Sequence, residues 1–221
     1  MTLAIFDLDN TLIGDDSDHL WGQYLVDHNI VDAELYQREN DRFYREYREG
    51  GLDIFEFLAF SLKPLTEHSL EELYSWRYDF VQTLIKPVVL PRAQELVNQH
   101  RQQGDTLLII TATNRFVTEP IAELFEINNL LATEPEQSAH GYTGKVAGTP
   151  CFQEGKITRL KAWLDETGTD LDGACFYSDS HNDIPLLELV DKPVAVDPDD
   201  RLRAHASSKN WPVMSLRGNP E

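Results

Sequence analysis

Residues 2 to 11 read TLAIFDLDNT, an apolar run that stops at an acid, Asp7, and turns polar at Asn10 and Thr11. A short unbroken apolar run of this kind predicts a strand buried on both faces, as in a parallel sheet. Ligands of such sheets bind beyond the carboxyl ends of the strands, where Asp7 and Asp9 fall. Two carboxylates two residues apart can divide labour there, one attacking phosphorus and one moving a proton. The competing reading is that a strand-end Asp only turns or caps the chain. A calcium loop is excluded, because the sixth position of DLDNTLIGDDSD is Leu12, where that loop needs glycine for its sharp turn.

Outward from this strand the chain changes character several times. Residues 16 to about 86 have helical spacing, with Leu20, Tyr24 and Leu25 on one face and Phe43, Tyr44 and Tyr47 on another. Gly50-Gly51 and Lys63-Pro64 are breaks between helices. This predicts a small helical insert whose aromatic clusters form its own core. Residues 91 to 196 then alternate. Helices are expected from Pro91 to Gly104, over 115–125 with Pro120 at a first-turn or kink position, over 154–166 and over 184–190. Strands are expected over 106–110, 130–133, 174–177 and 193–196, with a hairpin within 142–148. A helix over 201–207, a strand around Val213-Met214 and a frayed tail from Leu216 complete the reading. The alternation predicts an α/β fold, a doubly wound parallel sheet of Rossmann type. Residues 1–14 and 91–221 would form this core, and residues 15–90 a helical cap inserted into it.

The 221 residues, 41% of them hydrophobic, are enough for one buried core plus an insert. Lys and Arg number 19 against 38 Asp and Glu, a net charge of −19. Such a surface repels phosphate backbones and anionic lipids, so neither nucleic acid nor a membrane surface is an expected partner. The apolar run Leu3 to Phe6 is broken at Asp7, too early for a signal peptide or a membrane span. Cys151 and Cys175 make no disulfide framework and lack zinc-ligand spacing, so a cytoplasmic location is expected. Oligomeric state is left open.

Three further segments pair with Asp7-Leu8-Asp9-Asn10-Thr11. Ile110-Thr111-Ala112-Thr113-Asn114 ends a strand and starts a helix, which suits a phosphate held by the Thr111 hydroxyl and backbone N–H groups. Thr113 or Asn114 would serve equally as a plain N-cap. Lys156 stands at a helix start, the wrong end of the dipole for a cation unless an anion is near. Ser178-Asp179-Ser180-His181-Asn182-Asp183 follows another strand. It places Asp179 to complete an oxygen-ligand Mg2+ site, with Asp183 behind it. A divalent cation is required if two carboxylates are to accept a phosphate dianion.

In these four segments the chain resembles the haloacid dehalogenase superfamily of phosphatases. DLDNT matches the first motif, ITAT the second, the Lys156 segment the third and SDSHND the fourth. The insert is similar to the C1 cap of the phosphoserine-phosphatase-like branch. The resemblance implies that Asp7 is the nucleophile and Asp9 the general acid/base. It implies that Thr111, Ala112, Asn114 and Lys156 hold the phosphoryl group. Asp7, the Asp9 carbonyl and Asp179 would bind Mg2+, supported by Asp183 and Asn182. It extends to bacterial phosphatases of histidinol phosphate. The TAT and SDSHND segments depart from the glycine-rich forms usual in phosphoserine phosphatases, which weighs against phosphoserine as substrate.

The implied reaction is hydrolysis of a small phosphorylated metabolite through an aspartyl-phosphate. Histidinol phosphate is the leading substrate, and phosphoserine or another amino-alcohol phosphate the alternative. Asp16, Asp18 and His19 of the cap, close in sequence to Asp7, would receive a cationic group, unless Asp16 and Asp18 only cap a helix. Arg45, beside Arg42 and Arg48, would meet a substrate anion, unless these arginines pair with Glu46 or Glu49. The rival classes are a phospho-accepting signalling receiver, which is shorter and lacks such an insert, a non-catalytic protein on the same fold, and a phosphotransferase.

Overall fold

A computed structural model describes residues 2–218. Its centre is a wholly parallel sheet of β1 (Leu3–Phe6), β2 (Thr106–Asn114), β3 (Asn129–Thr133), β6 (Cys175–Ser178), β7 (Lys192–Val196) and β8 (Val213–Met214). The order across the sheet is β3-β2-β1-β6-β7-β8. The chain runs outward from β1 to β3, returns to the other side of β1 and runs outward again. That reversal opens a crevice at the carboxyl end of β1, beside Asp7. The apolar run follows from this position: Ile5 pairs with Leu108 on one side and Phe176 on the other, and all four β1 residues are buried. A separate antiparallel hairpin, β4 (Pro135–Ser138) and β5 (Gly141–Val146), follows β3.

The segment between β1 and β2 holds α1 (Ser17–Asp27), α2 (Ala33–Glu49), α3 (Ile54–Ser61), α4 (Pro64–Glu67) and α5 (Leu70–Phe80). Side chains of Asp16, Asp32, Asp53 and Ser69 cap α1, α2, α3 and α5. At the base of this segment Gly14 N–H donates to the Val88 carbonyl at 2.7 Å, and Leu90 N–H to the Leu12 carbonyl at 3.2 Å. The sheet is flanked by α6 (Pro91–Gln103), α7 (Arg115–Leu124), α8 (Glu154–Thr167), α9 (Ile184–Leu187) and α10 (Asp200–Lys209). Alternate β1 residues face opposite layers. Ala4 and Phe6 join an apolar cluster with Trp21, Tyr24 and Phe80, whereas Leu3 and Ile5 pack with Leu160, Leu202 and Ala206.

The structure alters several expectations. The insert does not keep its core to itself: Trp21 meets Phe116 of α7 at 5.7 Å between ring centroids, so insert and sheet share one apolar layer. Strand β2 runs four residues past Ile110, because a register shift against β3 carries the backbone through Thr111, Ala112 and Thr113. Of the two places open to Pro120, a first turn or a kink, the first is excluded, since it sits in the body of α7. The carbonyl it leaves without an N–H, that of Phe116, accepts from Arg77 Nη1 of α5 at 3.0 Å. The hairpin pairs 141–146 with the upstream 135–138 and does not close within 142–148. Helix α9 has only four residues and follows a 3-10 turn at His181–Asp183. Leu216 is buried and donates its N–H to Asp197, while Arg217 donates to the Gly14 carbonyl. The tail therefore does not fray at Leu216, and residues 219–221 of that expectation lie outside the described residues.

Candidate active site

Asp7 follows β1 directly, and its N–H still donates to the Tyr177 carbonyl of β6 at 2.9 Å, which fixes the side chain in the crevice. It is 4% exposed. Lys156 Nζ lies 2.8 Å from Asp7 Oδ1 and 2.8 Å from the Asp183 carboxylate, and both partners are buried. Asp7 Oδ2 accepts no hydrogen bond from the described residues. Lys156 reaches this point because α8 begins under the chain: a Cβ on Gly155 would stand 2.0 Å from the Pro150 carbonyl oxygen, so only glycine fits. Asp183 Oδ2 also accepts from Ser178 Oγ at 2.7 Å. Asp179 Oδ1 accepts from Thr11 Oγ1 at 3.2 Å, and Thr11 Oγ1 accepts from Asp179 N–H at 3.1 Å.

Asp9 points the other way, toward the insert. Its Oδ1 accepts from Ser17 N–H at 2.7 Å, and its Oδ2 accepts from Thr113 Oγ1 at 2.9 Å and Thr111 Oγ1 at 3.3 Å. Asp7, Asp9, Thr111, Ala112 and Thr113 form the floor of a cavity roofed by the insert. Asp16, Asp18 and His19 line the same cavity. Four of the expected groups are placed elsewhere. Asn114 is the N-cap of α7, its Oδ1 accepting from Val117 N–H at 3.3 Å, and it does not line the cavity. Asn182 donates to the Tyr47 carbonyl at 3.3 Å and accepts from Gln153 at 3.0 Å, tying α2 to the core instead of touching Asp7 or Lys156. Arg45 is exposed, because α2 turns Asn40, Phe43, Tyr44 and Tyr47 to the cavity and leaves Arg45 on the far side. Arg42 pairs with Glu39, Glu46 and Glu56. Thr113, Tyr44 and Tyr47 are additions. Tyr44 and Tyr47 belong to an aromatic face assigned to the insert's core, whereas Phe43 both packs in that core, 5.4 Å from Phe57, and borders the cavity.

Charge accumulates at this point. Burial pushes the Asp7 carboxyl up to about 7, against the pull of Lys156 and with help from Asp183 and Asp9. Burial, then the charges of Asp7 and Asp183, holds Asp179 well above the usual range. Lys156 is raised, since its two carboxylates outweigh the lowering by burial. One ammonium does not neutralise three carboxylates, and every other donor here is a hard oxygen, so the residues fit a divalent cation. Among the described residues no three His, Cys, Asp or Glu side chains form a ready cage. Two carboxylates with a carbonyl and water, the set expected for Mg2+, need none.

The haloacid dehalogenase-like hydrolase family model matches residues 4–188. A histidinol-phosphatase of Neisseria meningitidis serogroup C is 48% identical over 219 residues, covering 97% of this chain and 99% of that one. A phosphoserine phosphatase of Mycobacterium tuberculosis is 27% identical over 217 residues, 97% of this chain and 70% of its own. Among solved structures, a protein of unknown function from Bordetella pertussis Tohama I has a TM-score of 0.91 at 40% identity, covering 98% of this chain and 100% of that chain. A phospho-aspartyl intermediate analogue of phosphoserine phosphatase has a TM-score of 0.71 at 16% identity, covering 99% and 94%, and shares the fold.

Proposed function

The chain belongs to the haloacid dehalogenase-like hydrolases and is a phosphatase, and on that premise we propose that it hydrolyses a small amine-bearing phosphate monoester, histidinol phosphate foremost. The observation that carries the chemistry is the buried Asp7–Lys156–Asp183 chain at 2.8 Å per contact, with Asp9 held separately by two hydroxyls and a backbone N–H. In the first step Asp7 Oδ2 bonds to phosphorus, the ester P–O bond breaks, and Asp9 gives its proton to the departing alkoxide. In the second, Asp9 takes a proton from water, the water oxygen bonds to phosphorus, and the Asp7–phosphorus bond breaks. Lys156 neutralises charge on Asp7 and the phosphoryl oxygens. In this reading Thr111 Oγ1, which donates to Asp9 in the free site, would turn to a further phosphoryl oxygen beside the backbone at Ala112. Asp7, the Asp9 carbonyl and Asp179 would hold Mg2+, which supplies charge neutralisation for the incoming dianion.

In this reading residues 15–90 act as the cap over a core of 1–14 and 91–221, and exclude water. The 48% identity to a histidinol-phosphatase over nearly the whole of both chains supports the substrate. Two free, buried cysteines agree with a cytoplasmic setting, and no described helix is long and apolar enough to cross a membrane. The test is phosphate release from a panel of phosphorylated metabolites, histidinol phosphate and phosphoserine included, with Mg2+ and with chelator. Histidinol phosphate should lead the panel, chelation should stop release, and Asp7→Asn should lower it at least 1000-fold, on the order seen when a nucleophile is removed. Near-wild-type release from Asp7→Asn would refute the mechanism.

A further inference from the structure

The cavity above Asp7 has two acids in its wall, and they are not equivalent. Asp16 is 9% exposed, and its Oδ1 accepts the N–H groups of Asp18 at 3.0 Å and His19 at 2.9 Å, which is helix capping. Its Oδ2 accepts nothing from the described residues. Asp18 lines the same cavity, and neither of its oxygens accepts a hydrogen bond or meets a cation among the described residues. Burial, then the charge of Asp9, pushes its carboxyl up to about 7. A partly buried carboxylate without donor or counter-charge is unfavourable by itself and favours a partner from outside the chain.

The rest of the wall says what that partner is. Phe43, Tyr44 and Phe57 present aromatic rings, which favour a cation over an anion. No Lys or Arg among the described residues lines the cavity. The imidazole of His19 stacks on Tyr44 at 4.6 Å, and the Asn40 amide nitrogen lies 3.1 Å from its Nδ1. Three guanidinium groups, those of Arg48, Arg201 and Arg217, line the adjoining cleft on the Asp179 side, beyond Tyr44 and Tyr47, where Arg201 donates to the Glu49 carbonyl and Arg217 to the Gly14 carbonyl.

We propose that Asp18 determines specificity by binding the protonated nitrogen of the leaving alcohol, and that the wall around it, acidic and aromatic with no lysine or arginine, disfavours leaving groups that carry a carboxylate. The substrates are then phosphomonoesters of cationic alcohols and not phosphorylated amino acids. This rests on the phosphatase reading of Asp7 and Asp9.

Phosphoethanolamine and phosphoserine differ by one carboxylate, and p-nitrophenyl phosphate carries no cation, so the three probes separate the effects. Steady-state phosphate release with Mg2+ is measured for each with the full chain and with Asp18→Asn. The unmodified chain should prefer phosphoethanolamine to phosphoserine at least tenfold in kcat/KM, a comparison that needs no variant. In Asp18→Asn the ratio of phosphoethanolamine to p-nitrophenyl phosphate should fall at least tenfold. Equal turnover of phosphoserine and phosphoethanolamine, or a ratio unmoved in folded Asp18→Asn, overturns the inference and leaves the phosphatase reading standing. No release from any of the three overturns both.

Discussion

Asp9 is held from three directions, by Ser17 N–H, Thr111 Oγ1 and Thr113 Oγ1, and the shortest side-chain contact is the one from Thr113. A proton-transfer group works only from a fixed position, and a carboxylate on a loop has free rotation unless neighbours stop it. Thr113 is thus a positioning residue for the proposed acid/base. Thr113→Val keeps the shape and removes the donor, so kcat should fall about tenfold with KM little changed, and Thr113→Ser should restore most of it. Steady-state kinetics over a pH series would check this, since loosening Asp9 also moves the limbs of the profile. A fall in KM and kcat together, unrepaired by serine, would mark Thr113 as merely structural. Lys156 shows the other use of a buried charge: it bridges Asp7 and Asp183 and turns two mutually repelling carboxylates into a stable triad.

At the scale of elements, what was legible in the sequence followed from backbone rules, and what was not depended on neighbours. The apolar run ending at Asp7 marked β1 because a doubly paired strand needs apolar residues on both faces. The four acid, hydroxyl and lysine segments fell at strand ends and helix starts, and Asp7, Asp9, Thr111, Lys156, Asp179 and Asp183 come together there. The orientation of α2 was not legible. Periodicity groups Phe43, Tyr44 and Tyr47 on one face, but only packing decides that Tyr44 and Tyr47 roof the cavity while Arg45 faces solvent. The extra length of β2 was hidden for the same reason, since it comes from register against β3. Pro120 in α7 is the clearest case. A proline there looks like a break, yet Arg77 of α5 supplies the missing donor to the Phe116 carbonyl. Arg77→Met should therefore destabilise the chain by about 1–3 kcal/mol. In a Pro120→Ala background, where residue 120 again offers an N–H to Phe116, the loss should shrink by about 1 kcal/mol. Urea denaturation of the two single variants and the double variant measures that coupling, and strict additivity would contradict it.

Across the whole molecule, two kinds of carboxylate pull stability in opposite directions with pH. Partial burial alone would raise Asp105, but hydrogen bonds from His100 and from the Thr2 N–H and hydroxyl hold its carboxyl down to about 2. The folded chain binds that proton less tightly than the unfolded one, so the associated stability is whole above about pH 4 and is lost as pH falls toward 2. Asp18 behaves oppositely, with about 7 folded against an ordinary 3.8. The folded chain binds this proton more tightly, so the associated stability is whole below about pH 4 and is lost as pH rises through 7. A shift of that size corresponds to at most about 4 kcal/mol. Asp18→Asn removes the titration and keeps the shape. The variant should match the metal-free wild type near pH 4 and exceed it by about 1–4 kcal/mol at pH 8. Denaturant titrations at the two pH values check this, and a difference that does not change with pH would show that Asp18 ionises freely. A carboxylate that weakens the empty fold at neutral pH is what a binding residue awaiting a cation looks like, because function is served at the expense of stability at that position.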